Sequence, residues 1–307
     1  MVKKTYCRHK NRTFLDKFKK IAVYQCNDCS LVFSGQQNNK IDKTKLYNKF
    51  YQNKVPARFR FGLEHLVRQF RLFRAFKLTT IYPEAKSILD IGSGRGFTLY
   101  YLKKYFGYKI AVGTQLCPSA VKYSREQLGL NIYDKDLLKI NFGKRKFDLI
   151  TMWHVLEHIN QPEKYIKKMY SLLNKNGKIL IEVPNYNSWT RKITKRYWLG
   201  MDLKYHLTFF TPKTLINLLK KNRLALYGVN TFSFEYSTFL SVQSLVSRLT
   251  KTDQLIFLWL QGKKGGSFIV PHLILFILLT PVCLLVNLLL YFSKSGEVLL
   301  LTARKRK

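Results

Sequence analysis

The 307-residue sequence predicts an α/β fold built on a doubly wound parallel sheet. Three features carry that reading. The apolar run Ser87 to Ile91 passes through alternate glycines, Gly92, Gly94 and Gly96, into a segment of helical character, Phe97 to Tyr105. Strand-and-helix units of similar length then repeat downstream, which calls for a sheet covered on both faces. The chain is also 47% hydrophobic, enough to fill one such domain with additions.

At the N-terminus, residues 1–35 contain "YCRHKN" and "YQCNDCSLVF". Cys26 and Cys29, followed by an aliphatic-aromatic strand, read as half of a zinc ribbon. Cys7 and His9 are the available partners, with Lys10 where a second cysteine would fall. Zinc on Cys7, His9, Cys26 and Cys29 and a metal-free degenerate ribbon both fit. Five cysteines, and no apolar run after Lys3 and Lys4, favour a reduced, cytoplasmic chain.

Residues 36–84 read as a helical lid or linker. Phe59, Leu63, Leu66, Phe70, Phe73 and Phe76 recur at helical spacing among arginines. A cover helix on the core is the expectation, and a basic amphipathic helix on an acidic surface is the alternative.

Residues 85–231 carry the core units. The glycines of "LDIGSGRG" occupy a strand-to-helix turn, where missing side chains let a ligand approach the backbone and the helix N-terminus. A second strand ends near Gln115, and Pro118 opens the next helix. Asp136 follows a third strand, "FDLITMWHVLEH" is a fourth, and "NGKILIEVPN" is a fifth. Ligands bind such sheets outside the carboxyl ends of the strands. His154, Glu157 and His158 stand at i, i+3 and i+4, and His206 in "KYHLTFF" is a fourth polar candidate.

These motifs, from residue 85 to about 230, resemble the class I S-adenosylmethionine-dependent methyltransferases, in the branch that includes ubiquinone-pathway O-methyltransferases. The carriers are "LDIGSGRG", the "FDLITMWHVLEHINQPEKYIKKMYSLLNKNGKILIEVPN" region and "YWLGMDLKYHLTFFTPKTLINLLKKNRLALYGV". The resemblance implies a Rossmann-like, seven-stranded sheet whose final, antiparallel strand is "SGEVLLLTARK". It further implies that Asp90, Gly92, Ser93, Gly94 and Gly96 border the methionine part of S-adenosyl-L-methionine. Gln115 and Leu116 would meet the ribose, and Asp136 and Leu137 would flank the adenine. Met152, Trp153 and His154 would line the floor near the methyl group. Relatives usually carry an acidic residue where this chain has Gln115, so cofactor binding should weaken by about 1 kcal/mol. His154, Glu157, His158 and His206 are the catalytic candidates. One histidine taking a hydroxyl proton, a divalent metal, and mere bracing of the turn are the three readings.

Residues 232–293 read as an amphipathic and hydrophobic, membrane-associated insertion. Phe268 to Phe292 is an uncharged run of bilayer-spanning length. The last core strand must nevertheless rejoin the sheet, so a hairpin broken at Thr280–Pro281 is expected, with basic residues on both flanks. Residues 294–307 supply that strand and a basic tail. A buried dimer interface is the competing explanation of the apolar run.

Lys and Arg number 54 against 17 Asp and Glu, a net charge of +37. That charge suits an anionic membrane surface or a phosphorylated acceptor, although biased composition is an alternative source. The expected activity is methyl transfer to a small-molecule or lipid-linked acceptor at the cytoplasmic membrane face, held there through residues 268–292. An RNA methyltransferase is the rival, and nucleic acid is the less expected partner because it leaves the apolar run without a role. A non-catalytic membrane adaptor is the third reading.

Overall fold

The computed structural model describes residues 7, 9–18, 20–38, 62–263 and 266–306. Phe59 and the rest of 39–61, within the expected 36–84 lid or linker, lie outside the described residues. The helix expected as a cover is α1 (Leu63–Ile81).

The core strands are β4 (Ser87–Ile91), β5 (Ile110–Thr114), β6 (Asn131–Tyr133), β7 (Phe147–Trp153), β8 (Leu173–Pro184), β10 (Leu224–Asn230) and β11 (Val298–Lys305). They form one sheet in the order β10-β11-β8-β7-β4-β5-β6. Five strands run parallel, and β11 is antiparallel to both β8 and β10, as expected. Side-chain alternation explains why the strands read as unbroken apolar runs. Leu89, Ile150 and Ile181 pack on one face, and their neighbours Ile88, Leu149 and Leu180 pack on the other. Helices α2 (Phe97–Tyr105), α3 (Pro118–Glu126), α4 (Pro162–Leu172) and α6 (Pro212–Lys221) supply connections, three of them opened by proline in the first turn.

The N-terminal ribbon is not a detached unit. Strands β1 (Arg12–Phe18), β2 (Ile21–Cys26) and β3 (Val32–Ser34) extend through β9 (Thr208–Phe209) into a four-stranded sheet, with Val32 opposite Phe209.

Between β10 and β11 the chain makes α7 (Ser237–Thr250), α8 (Leu255–Leu260) and α9 (Val270–Phe292). The expected break at Thr280–Pro281 does not occur. Helix α9 runs through Pro281, and the Thr280 hydroxyl donates to the Phe276 carbonyl at 2.7 Å. The chain instead reverses between α7 and α9, which also brings β11 back beside β10. Short α5 (Trp189–Thr194) packs on α7. By length and composition α9 is apolar enough to cross a membrane. One stripe of it, Ile274, Leu278, Val282, Leu285, Leu289 and Phe292, is exposed throughout at helical spacing.

Candidate active site

The glycine loop closes the carboxyl end of β4. Gly92 and Gly96 adopt φ of 73° and 77°, and a Cβ on either would lie within about 2.5 Å of a neighbour, Val155 or Leu130. The amides of Gly92 and Ser93 both donate to the Thr114 carbonyl, and Gly96 donates to Ser93. These amides therefore hold the loop against β5. The missing Cβ atoms at Gly92 and Gly96 are what allow this close approach of the backbone.

Beneath the loop, Asp90 is buried and accepts from the Thr151 hydroxyl at 2.6 Å. Burial pushes its pKa up to about 6, against the pull of Thr151, Arg74 and Arg71. A cationic ligand nearby would restore its charge. The loop forms one wall of a cavity of about 600 Å³. Asp90, Gly92, Ser93, Gly94, Gly96, Gln115, Leu116, Asp136, Leu137, Trp153 and His154 all line it. Met152 does not, because strand alternation turns it into the opposite core cluster, fully buried.

Gln115 lines the cavity with its side-chain oxygen already engaged. Its side-chain oxygen accepts from the amides of Leu116 and Cys117 at 2.7 and 3.0 Å, so both lone pairs serve the start of α3. Asp136 is likewise engaged, by the Leu138 amide and by the Tyr165 hydroxyl at 2.5 Å.

Opposite the loop, β7 ends in a sharp turn. His154 has φ 51°, and a 3₁₀ turn over Leu156–His158 brings Glu157 to its ring. His154 Nδ1 lies 3.3 Å from Glu157 Oε1, and Nε2 lies 3.1 Å from Glu182 Oε1. Burial opposes its charge, but the two carboxylates outweigh burial and raise its pKa well above the ordinary value. That shift favours the protonated ring, and a protonated ring accepts no further proton. Burial works against Glu157 as well, and His154 holds it down to about 2.

His158 and His206 differ from His154. Their rings lie 4.8 Å apart, and burial lowers the pKa of each. His158 Nδ1 is 2.8 Å from the Tyr205 carbonyl, and His206 Nδ1 is 2.8 Å from the Gly200 carbonyl. A carbonyl only accepts, so both Nδ1 atoms carry the proton and Nε2 is the basic atom. Donor atoms of Glu157, His158 and His206 come within 4.8 Å of one another, a set that also suits a divalent cation.

Residues that the sequence reading missed complete the wall. Arg71 and Arg74 of α1 both pair with half-buried Glu235, and Arg74 lies 4.0 Å over the Trp153 ring. Tyr236 covers the His154 ring at 4.2 Å. The partners are more than 160 residues apart, and no local pattern links them.

The N-terminal donors converge elsewhere. Cys7, His9, Cys26 and Cys29 place their ligand atoms within 4.8 Å of one another. Cys7 Sγ is 3.4 Å from His9 Nδ1 and 3.5 Å from Cys26 Sγ, near the ligand separation of about 3.7 Å in a tetrahedral zinc site.

Fold and cavity together define a class I S-adenosylmethionine-dependent methyltransferase. The chain belongs to the methyltransferase domain family, which residues 59–227 match. It is 25% identical over 197 residues to a ubiquinone biosynthesis O-methyltransferase of Pelagibacter ubique, across 58% of this chain and 76% of that protein. It is 27% identical over 128 residues to the enzyme of the same name from Coxiella burnetii, spanning 40% of this chain and about half, 53%, of that relative. Among solved structures, the complex between the Haloferax volcanii Trm112 methyltransferase activator and the putative methyltransferase is similar in fold. There the TM-score is 0.50 and identity 13%, over 78% of this chain and 92% of that one. The cofactor is S-adenosyl-L-methionine. The close-approach glycines, the buried Asp90 and the adjoining apolar wall at Leu137 fit its cationic and adenine ends.

Proposed function

We propose that this chain methylates a hydroxyl oxygen of a small, membrane-borne acceptor at the cytoplasmic membrane face. When bound, the cofactor supplies a methyl group on an already activated sulfonium, so positioning does most of the catalysis. The methyl carbon leaves sulfur, which keeps the bonding electrons, and joins the acceptor oxygen. The hydroxyl proton passes to Nε2 of His158 or His206. His154 and carboxylate Glu157 fix the turn that carries His158, and Glu157 stabilises the imidazolium formed there.

The observation carrying this reading is the pair of imidazoles in the same cavity as the glycine loop, each with Nδ1 on a backbone carbonyl. The O-methyltransferase names of the relatives support the acceptor atom. Membrane attachment is supported by the exposed apolar stripe of α9, with Trp189 and Ile193 of α5 exposed nearby and Lys192, Lys195, Lys263 and Lys294 exposed around them. The test incubates membranes from cells lacking the protein with enzyme and methyl-labelled cofactor. Label in the organic extract is expected, and label confined to RNA would overturn the assignment.

A cation-assisted variant has one observation in its favour: neither buried oxygen of Glu157 makes a hydrogen bond of good geometry. EDTA would then abolish turnover, whereas a purely histidine-based enzyme keeps it. For Cys7, His9, Cys26 and Cys29 we propose one structural zinc, remote from the cavity lining.

A further inference from the structure

The α7–α8–α9 insertion lies within the catalytic cavity as well as at the surface. Phe239 of α7, Phe257 and Leu260 of α8, and Phe276 and Thr280 of α9 line the same cavity as the glycine loop and His206. Phe239 stands 6.1 Å from Phe257 and 5.7 Å from Phe276, so three aromatic rings from three helices converge on one arm of the space. All three rings are half-buried, the state expected of side chains that face a cavity rather than a filled core. Thr280 exposes little polarity to that arm, since its hydroxyl donates to the Phe276 carbonyl of its own helix.

The cavity lining therefore joins a polar cluster to an apolar one. Glu157, His158, Asp202 and His206 supply the polar cluster, and the insertion supplies the three converging rings. The helix that forms the arm also presents the outward stripe of Leu278, Leu285 and Leu289. One side of α9 faces the reaction space while the other is an apolar surface suited to lipid.

We propose that this aromatic arm is a binding site for the hydrocarbon chain of the acceptor, which enters between α7 and α9 from the bilayer. The acceptor is then an amphiphile, with its hydroxyl at the histidines and its chain along Phe239, Phe257 and Phe276. Hydrocarbon gains about 0.8 kcal/mol per buried CH₂ on leaving water, but almost nothing on leaving lipid. The arm accordingly acts by alignment: a chain threaded through it leaves the head group one orientation at the methyl group. The inference rests on the membrane-borne acceptor reading and adds where the chain lies and how it arrives.

The probe is hexadecanol bearing a terminal diazirine, photolysed with the full-length protein on vesicles of phosphatidylglycerol and phosphatidylcholine. Saturating S-adenosylhomocysteine is present, and adducts are mapped by mass spectrometry. The expected adducts fall on Phe239, Phe257 or Phe276. Leu260→Trp, which fills the arm, should cut them at least fivefold while affinity for S-adenosylhomocysteine stays within twofold by calorimetry. Adducts confined to Leu278, Leu285 and Leu289 would overturn the inference, because lipid would then meet only the outer face; this pattern is read on the wild type and needs no variant. Failure of the wild type to float with vesicles would remove the membrane reading, and the inference with it. Arm labelling without S-adenosylhomocysteine binding would leave the hydrocarbon site standing and sink the methyl-transfer role.

Discussion

The side-chain amide of Asn287 donates to the Ser241 hydroxyl at 2.9 Å, joining α9 to α7 across 46 residues of chain. The same amide also donates to the Cys283 carbonyl at 2.8 Å. In a helix this apolar, hydrophobicity cannot choose which side faces the protein, since nearly every face is greasy. One buried amide can, because an unpaired polar group costs about 1–3 kcal/mol wherever water is absent. The exposed stripe lies on the side of the helix opposite Asn287.

Asn287→Leu should therefore loosen the insertion rather than strengthen it. A lowered urea midpoint with unchanged slope is expected, equivalent to about 1–2 kcal/mol. An unchanged midpoint would show that the amide does not set the orientation of α9.

The acid response of α1 follows from Glu235. Burial raises its pKa, but Arg71 and Arg74 outweigh burial and hold it down to about 2, against an ordinary 4.5. A depressed carboxylate contributes stability that is fully present above pH 4.5 and disappears as the pH falls toward 2. Wild type should lose on the order of 3 kcal/mol across that window from this group, and Glu235→Gln should lack that component. Parallel acid-unfolding curves for the two proteins would refute the pairing.

Replacing either neutral histidine should separate binding from turnover. His158→Asn and His206→Asn keep a side chain able to donate to the Tyr205 or Gly200 carbonyl but lose the basic nitrogen. A fall in kcat of about 10²–10⁴-fold is expected for the residue that takes the proton, with cofactor affinity unchanged by calorimetry. If neither variant loses more than a few-fold, proton acceptance by these rings is wrong.

Metal analysis tests the N-terminal cluster. Purified protein should contain about one zinc per chain, and Cys26→Ser should lose it together with the β1–β3 sheet, read as a lowered melting temperature. Zinc-free protein with unaltered melting would mark the ribbon as degenerate.

Much of the core was legible because glycine, proline and strand alternation act locally. Gly92 and Gly96 announce a turn that no larger side chain fits, and Pro118, Pro162 and Pro212 each stand in the first turn of a helix. What depends on distant partners was not legible. Pro281 looks like a break in isolation, yet α9 continues through it, because a helix packed along α7 can lose one backbone hydrogen bond and remain helical. The charge on His154 depends on Glu182, which approaches only when β8 pairs beside β7. Nothing in "WHVLEH" distinguishes that histidine from His158. Glu235 was invisible for the same cause, as its partners lie on a helix far away in sequence.

Gln115 gives the sharpest test of the cofactor site. Its oxygen is occupied by the Leu116 and Cys117 amides, so a ribose placed against it would meet the side-chain N–H group. A ribose diol is best held by an acceptor that takes both of its hydroxyl protons, and a carboxylate does this with charge-assisted bonds. Gln115→Glu is nearly isosteric. One oxygen of the new carboxylate can keep the two backbone amides, and the other can face the ribose. The positive end of α3, which begins at Pro118, favours the added negative charge. Affinity for S-adenosylhomocysteine should rise about tenfold, near the 1.4 kcal/mol that separates a charged from a neutral hydrogen bond. Calorimetric titration of both proteins decides the matter. A variant that binds more weakly than wild type would mean that the ribose does not lie against residue 115.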